Sequence, residues 1–151
     1  MPEPPDPIMI QVTVPLPIAM VYTAFIEPEK ISGWMAEAAV VEPRVGGRYE
    51  ITVTQGEPFA SHGKVTMLTQ DVDIGFSWEA PSQFASIMNL PHLKTSVYLR
   101  LQESPEGIDV TLEHSGWEGG DDWEDARSWH FHFWDDRLHR LRDFMLKAAY
   151  G

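Results

Sequence analysis

Trp123 to Ala149 reads WEDARSWHFHFWDDRLHRLRDFMLKAA, and its spacing decides the fold. Ala126, His130, Phe133, Trp134, Leu138, Leu141, Met145 and Ala148 recur at intervals of three and four, the apolar stripe of an amphipathic helix. At 1.5 Å per residue this helix is roughly 40 Å long. Asp121 or Asp122 is placed to cap its start, and Glu124 and Asp125 suit the positive end of its dipole. Asp136 with Arg140, and Asp143 with Lys147, form acid-before-base pairs on the outer face. One helix so long and so aromatic needs a broad apolar surface to cover, and a multistranded sheet is the element that supplies it.

That sheet is legible upstream. TSVYLRLQ (95–102) and GIDVTLEHS (107–115) flank a tight turn at Ser104–Gly107, with Val97, Leu99 and Leu101 on one face and Ile108, Val110, Leu112 and His114 on the matching one. Before them come AAVVEP (38–43), GGRYEITVT (46–54), HGKVTMLT (62–69) and DIGFSWE (73–79), divided by glycine, proline and aspartate. Ile8 to Val14 alternates as a half-buried strand and stops at Pro15 and Pro17. Pro17 opens a short helix through Phe25, and Pro28 opens a second one towards Trp34. Trp78 to Lys94, with Pro81 and Pro91, reads as a long loop or cap. The expected architecture is α+β of the helix-grip kind: a curved antiparallel sheet of about six or seven strands wrapped around a long C-terminal helix, with two short helices after the first strand and an apolar cavity between sheet and helix. Residues 8–151 form a single domain, and 1–7, with prolines at 2, 4, 5 and 7, a flexible tail.

Composition narrows the function. The 151 residues carry a formal net charge of −12, a field that repels phosphate backbones and anionic headgroups, so neither nucleic acid nor a membrane surface is an expected partner. There is no cysteine, which removes disulfides, thiolate metal sites and cysteine nucleophiles and suits a cytoplasmic setting. Ser115 and Ser128 lack the G-x-S-x-G context of a serine nucleophile, and no glycine-rich phosphate loop is present.

Blocks of residues also carry a resemblance. Pro17, Val21, Tyr22, Ala24 and Phe25 followed by Pro28-Glu29, Ile31 and Trp34 form the first. Glu42-Pro43-Arg44-Val45-Gly46-Gly47-Arg48-Tyr49 is the second, where paired glycines allow a tight turn into the next strand. Gly63-Lys64-Val65, Phe76-Ser77-Trp78, Thr111 to Gly116, and the closing Trp134 and Leu138 complete the set. In that order they resemble the heat-shock-protein-90 ATPase activator-like branch of the START-like, polyketide-cyclase-like superfamily, whose fold is shared with the birch-pollen allergen. The resemblance implies the helix-grip fold over nearly the whole chain. It also implies a choice of functions, since members variously bind lipids and hormones, cyclise polyketides, sequester toxic small molecules or assist a chaperone.

The residues expected to line the cavity are Trp34, Tyr49, Val65, Met67, Trp78, Val97 and Leu99 from the first two-thirds of the chain, and His114, His130, Phe133 and Trp134 from the last strand and helix. Such a wall is apolar and π-rich with a few N–H and O–H groups, as small-ligand pockets are. His114 is the candidate general base if any reaction occurs; the alternative is a histidine satisfied at the rim of the core. Two inward histidines without a third ligand make a poor zinc site, so no metal and no cofactor are expected. The expected partner is a hydrophobic small molecule, bound without catalysis by a monomer or homodimer. A cyclase- or hydrolase-like enzyme and a chaperone-activating interaction are the alternatives.

Overall fold

Alternation writes the first strand: β1 (Ile8–Val14) buries Ile8, Ile10, Val12 and Val14 and turns Met9 and Gln11 outward. Pro17 flanks helix α1 (Ile18–Ile26) and Pro28 begins the one-turn helix α2 (Pro28–Ile31). Strands β2 (Ala38–Val41), β3 (Arg48–Val53), β4 (Phe59–Thr69) and β5 (Asp73–Trp78) follow, then a 3₁₀ turn (Ser82–Phe84) and helix α3 (Ala85–Met88). Strands β6 (Thr95–Ser104) and β7 (Gly107–Ser115) and the long helix α4 (Asp121–Tyr150) complete the chain. This computed structural model describes residues 5–92 and 94–151.

All pairings are antiparallel in a seven-stranded sheet of order β1-β7-β6-β5-β4-β3-β2. The first strand thus pairs with the last, Ile8 opposite His114 and Val14 opposite Ile108. The sheet's concave face carries Trp78, Val97, Leu99, Leu112 and His114, and α4 fills it with Ala126, His130, Phe133, Trp134, Leu138 and Leu141. The α+β helix-grip expectation is the observed fold. No helix among the described residues is long and apolar enough to cross a membrane.

Three local expectations change. Helix α4 starts after Gly120, and neither Asp121 nor Asp122 caps it through its side chain; both lie in its first turn, where their charge still suits the dipole. On its outer face Asp136 reaches Arg140 Nε at 2.8 Å. The 78–94 stretch is not merely a loop but holds the 3₁₀ turn and α3, because the Asn89 amide clamps it: Oδ1 accepts from Ala80 N at 2.7 Å and Nδ2 donates to Ala80 O at 2.9 Å. Of the expected tail, residues 1–4 lie outside the described residues, while Arg127 donates to the carbonyls of Asp6 (2.9 Å) and Pro7 (3.3 Å).

A further change bears on the site. Val65 pairs with Phe76 but Met67 pairs with Gly75, so Thr66 is an extra residue in β4, a β-bulge. Because side chains alternate with period two, one inserted residue reverses every later side chain. Val65 is therefore buried, whereas Met67 stands 47% exposed on the outer face. Substituting Met67→Gln is expected to leave stability within about 0.5 kcal/mol, as for other exposed positions. Val65→Ala is expected to cost about 2 kcal/mol from lost burial and a residual cavity. Urea titrations of both variants check the bulge directly.

The paired glycines act as the sequence suggested. Gly46 has φ +86, and a Cβ on Gly47 would stand 2.3 Å from Glu42 O. That compact turn ties β3 to β4 by Gly46 N to Val65 O and Val65 N to Gly47 O, both 2.8 Å.

Candidate functional site

Trp and His side chains from β5, β7, the turn after β7, and α4 meet on the concave face. Trp78 Nε1 donates to His130 Nε2 at 3.0 Å, and Trp134 Nε1 donates to His114 Nδ1 at 3.0 Å. Trp117 Nε1 donates to the His114 carbonyl at 2.7 Å. The second nitrogen of each imidazole is also engaged, His130 Nδ1 with Ala126 O at 2.7 Å and His114 Nε2 with Thr95 Oγ1 at 2.8 Å. An indole N–H can only donate, so His130 Nε2 and His114 Nδ1 must be acceptors. His130 is then the neutral Nδ1–H tautomer, giving its hydrogen to Ala126 O, and His114 the neutral Nε2–H tautomer.

Electrostatics agree with that assignment. Burial, with His130 adding repulsion, pushes the His114 pKa well below the ordinary histidine value. Burial likewise lowers His130 to about 4, against a weaker opposing effect of its bond to Ala126. Both imidazoles are neutral near pH 7 and have no free lone pair to offer a substrate. A general base at His114 would first have to release Trp134.

The rings touch one another rather than surround an open space. Centroid separations are 5.1 Å for Trp78–Trp134, 5.0 Å for Phe133–Trp134 and 5.3 Å for His114–His130. The residues expected as cavity lining are here the filling between sheet and helix. Val65, Val97 and Leu99 are buried beneath them on the sheet, and Met67 is excluded by the bulge. Trp34 and Tyr49 serve the backbone instead, as Trp34 Nε1 donates to Ala24 O at 2.9 Å and Tyr49 Oη to Phe25 O at 2.7 Å. They satisfy carbonyls in the last turn of α1 that have no partner within that helix. Burial raises the Tyr49 phenol far above its usual range, so it acts only as a neutral donor.

Sequence reasoning missed Trp117, Thr95 and Arg137. Trp117 and Thr95 carried no signal, since only the fold brings them to His114. Arg137 did carry one: four after Phe133 and four before Leu141, it is a charged residue on the apolar stripe. Its guanidinium lies over the Phe133 ring at 4.3 Å from the centroid. It also lines a pocket of about 210 Å³ between the turn after α2, the β3–β4 connection and α4, together with Trp34, Met35, Glu37, Gln55 and Arg140. Arg137 stands between this pocket and the aromatic filling, with its guanidinium over the Phe133 ring. Among the described residues no group of three or more His, Asp or Glu converges as a metal site.

Residues 15–145 match the family described as Activator of Hsp90 ATPase homolog 1-like protein. No curated protein matches the chain. Among solved structures, protein MLL2253 from Mesorhizobium loti superposes with a TM-score of 0.76 at 17% identity, over 93% of this chain and 97% of that one. Protein BH1534 from Bacillus halodurans does so with a TM-score of 0.72 at 21% identity, over 94% of this chain and 98% of that one. DynU16, from the dynemicin biosynthetic locus, gives 0.75 at 17% identity, over 96% of this chain and 49% of that one. At these identities the likeness is one of fold.

Proposed function

This chain belongs to the Activator of Hsp90 ATPase homolog 1-like family, and on that premise we propose that it binds a small apolar or aromatic molecule without transforming it. The observation that carries this reading is the satisfied pair of histidines: all four ring nitrogens are hydrogen-bonded inside the protein and both rings are neutral. Neither imidazole is free to act as acid or base, which supports binding over catalysis. In this reading the ligand occupies the pocket lined by Trp34, Met35 and Arg137, whose guanidinium lies over the buried Phe133 ring.

Intrinsic tryptophan emission and the thermal midpoint are the readouts. A panel of aromatic acids and alcohols, polyphenols and medium-chain lipids should contain compounds that quench emission saturably and raise the midpoint. Ligand at a hundred times its Kd adds about 2.7 kcal/mol of stability when it binds only the folded state. Failure of the whole panel to move either signal would remove the reading. His114→Ala separates binding from catalysis: turnover of a bound compound by the parent protein that disappears in this variant, with binding retained, would establish an enzyme instead.

A further inference from the structure

On the inward stripe of α4 the side chains are apolar or neutral except at Arg137, which is only 8% exposed. A guanidinium is not withdrawn from water without compensation, so its partners are informative. Nε donates to Met35 O at 2.8 Å and Nη1 to Asp136 Oδ2 at 2.7 Å. Nη2 has no hydrogen-bond partner among the described residues, although Arg137 lines the pocket. The Asp136 oxygen is shared, since Arg140 Nε also reaches Oδ2 at 2.8 Å. The acid that lines the pocket, Glu37, is held by the β3–β4 connection, where its oxygens accept from Thr54 N at 3.1 Å and Gln55 N at 3.2 Å. Two guanidiniums therefore meet one carboxylate oxygen at the pocket's wall, in a chain whose net charge is −12. Arg137 Nη2 is left to donate to an acceptor in the pocket.

Resting on the binding reading above, we propose that the ligand is a small organic acid, whose carboxylate pairs with Arg137, aided by Arg140, while its apolar or aromatic body lies against Trp34 and Met35. A planar guanidinium already fixed by Met35 and by the Phe133 ring is pre-organised for a carboxylate, and little side-chain entropy remains to be lost on binding. The pocket volume of about 210 Å³ suits a one- or two-ring acid or a short chain rather than a full-length lipid. Desolvation and the adjacent Arg140 lower the Arg137 pKa, against the opposing effects of Asp136 and Glu37.

Matched acid–alcohol pairs test this in the unaltered protein: benzoate with benzyl alcohol, 2-naphthoate with 2-naphthalenemethanol, and octanoate with 1-octanol, each titrated calorimetrically. At least one acid should bind about ten- to a hundredfold more tightly than its alcohol, the size expected when a charged hydrogen bond is lost. Its amide shift changes in nuclear magnetic resonance spectra should centre on Gly33, Glu37 and Gln55. Arg137→Met, which keeps an apolar stem over Phe133, should reduce the preference to less than about twofold, a residue of packing alone. If every alcohol that binds does so as tightly as its acid, or if Arg137→Met retains the preference, the acid assignment is overturned while the binding reading stands. If neither member of any pair binds, both are overturned. The parent comparison needs no variant, so a misfolded Arg137→Met would not protect the proposal.

Discussion

Trp134→Ala is expected to lose about 3–5 kcal/mol of unfolding free energy, the range for removing a fully buried large aromatic. Trp134 is 0% exposed and sits where β5, β7 and α4 converge, 5.1 Å from Trp78 and 5.0 Å from Phe133 between ring centroids. The truncation does two kinds of damage. It opens a cavity that rigid neighbouring rings cannot collapse into, and it strips His114 Nδ1 of its donor, leaving a buried lone pair unpaired. Trp134→Phe separates them, since most of the volume returns but the N–H does not; about 1–3 kcal/mol of loss should remain. For a domain stabilised by about 5–15 kcal/mol in all, the alanine variant should be marginal at 37 °C. Urea unfolding followed by circular dichroism gives both values. An alanine variant within about 1 kcal/mol of the parent, well below the usual cost of such a truncation, would mean that this cluster does not hold the helix to the sheet.

Acidification should weaken the protein through the same two histidines. Their folded pKa values lie below the unfolded value near 6.5, so between the two the unfolded chain binds more protons than the folded one. Stability then rises with pH across that interval. It is fully present above about pH 6.5 and is lost as pH falls towards the folded values. For His130, lowered to about 4, the loss by pH 4 is on the order of 3 kcal/mol, and His114 adds to it in the same direction. Carboxylates titrate in the lower part of this range, so the comparison that isolates the effect is with His130→Gln. Its side-chain oxygen can still accept from Trp78, and it does not titrate. Unfolding free energies at pH 7.5, 6, 5 and 4.5 should fall less steeply in the variant than in the parent. Parallel curves would show that His130 is not buried as a neutral group.

These two experiments probe a network of which the sequence disclosed the two histidines and two of the indoles, Trp78 and Trp134, but not Thr95, Trp117 or the wiring. His114 and His130 were recognisable because each sits on an inward period, one of a strand and one of a helix. Their tautomers were not, because each depends on an indole from an element distant in sequence: Trp78 lies 52 residues before His130 and Trp134 lies 20 after His114. The same limit explains Trp34 and Tyr49. Their aromatic character marked them as cavity lining, yet which carbonyls they would satisfy depended on where the last turn of α1 came to rest. Met67 shows the opposite failure. It was expected to line the cavity, and a single bulge at Thr66, without a signature of its own in the sequence, turned it out.

What the amino-acid order determined by itself is the frame: the strand periods, the proline-started helices, the glycine turn at 46–47 and the long stripe from Trp123 to Met145. Each of these is a local regularity, set by the geometry of one strand or one helix, and local regularities survive in a linear text. The tertiary structure alone decided that the space beneath the helix is filled by paired indoles and imidazoles, and that Arg137 meets the pocket beside it with a hydrogen-bonding nitrogen to spare. Those outcomes depend on which side chains from distant segments fit the same volume and satisfy the same polar atoms, a condition imposed only when the sheet closes around α4.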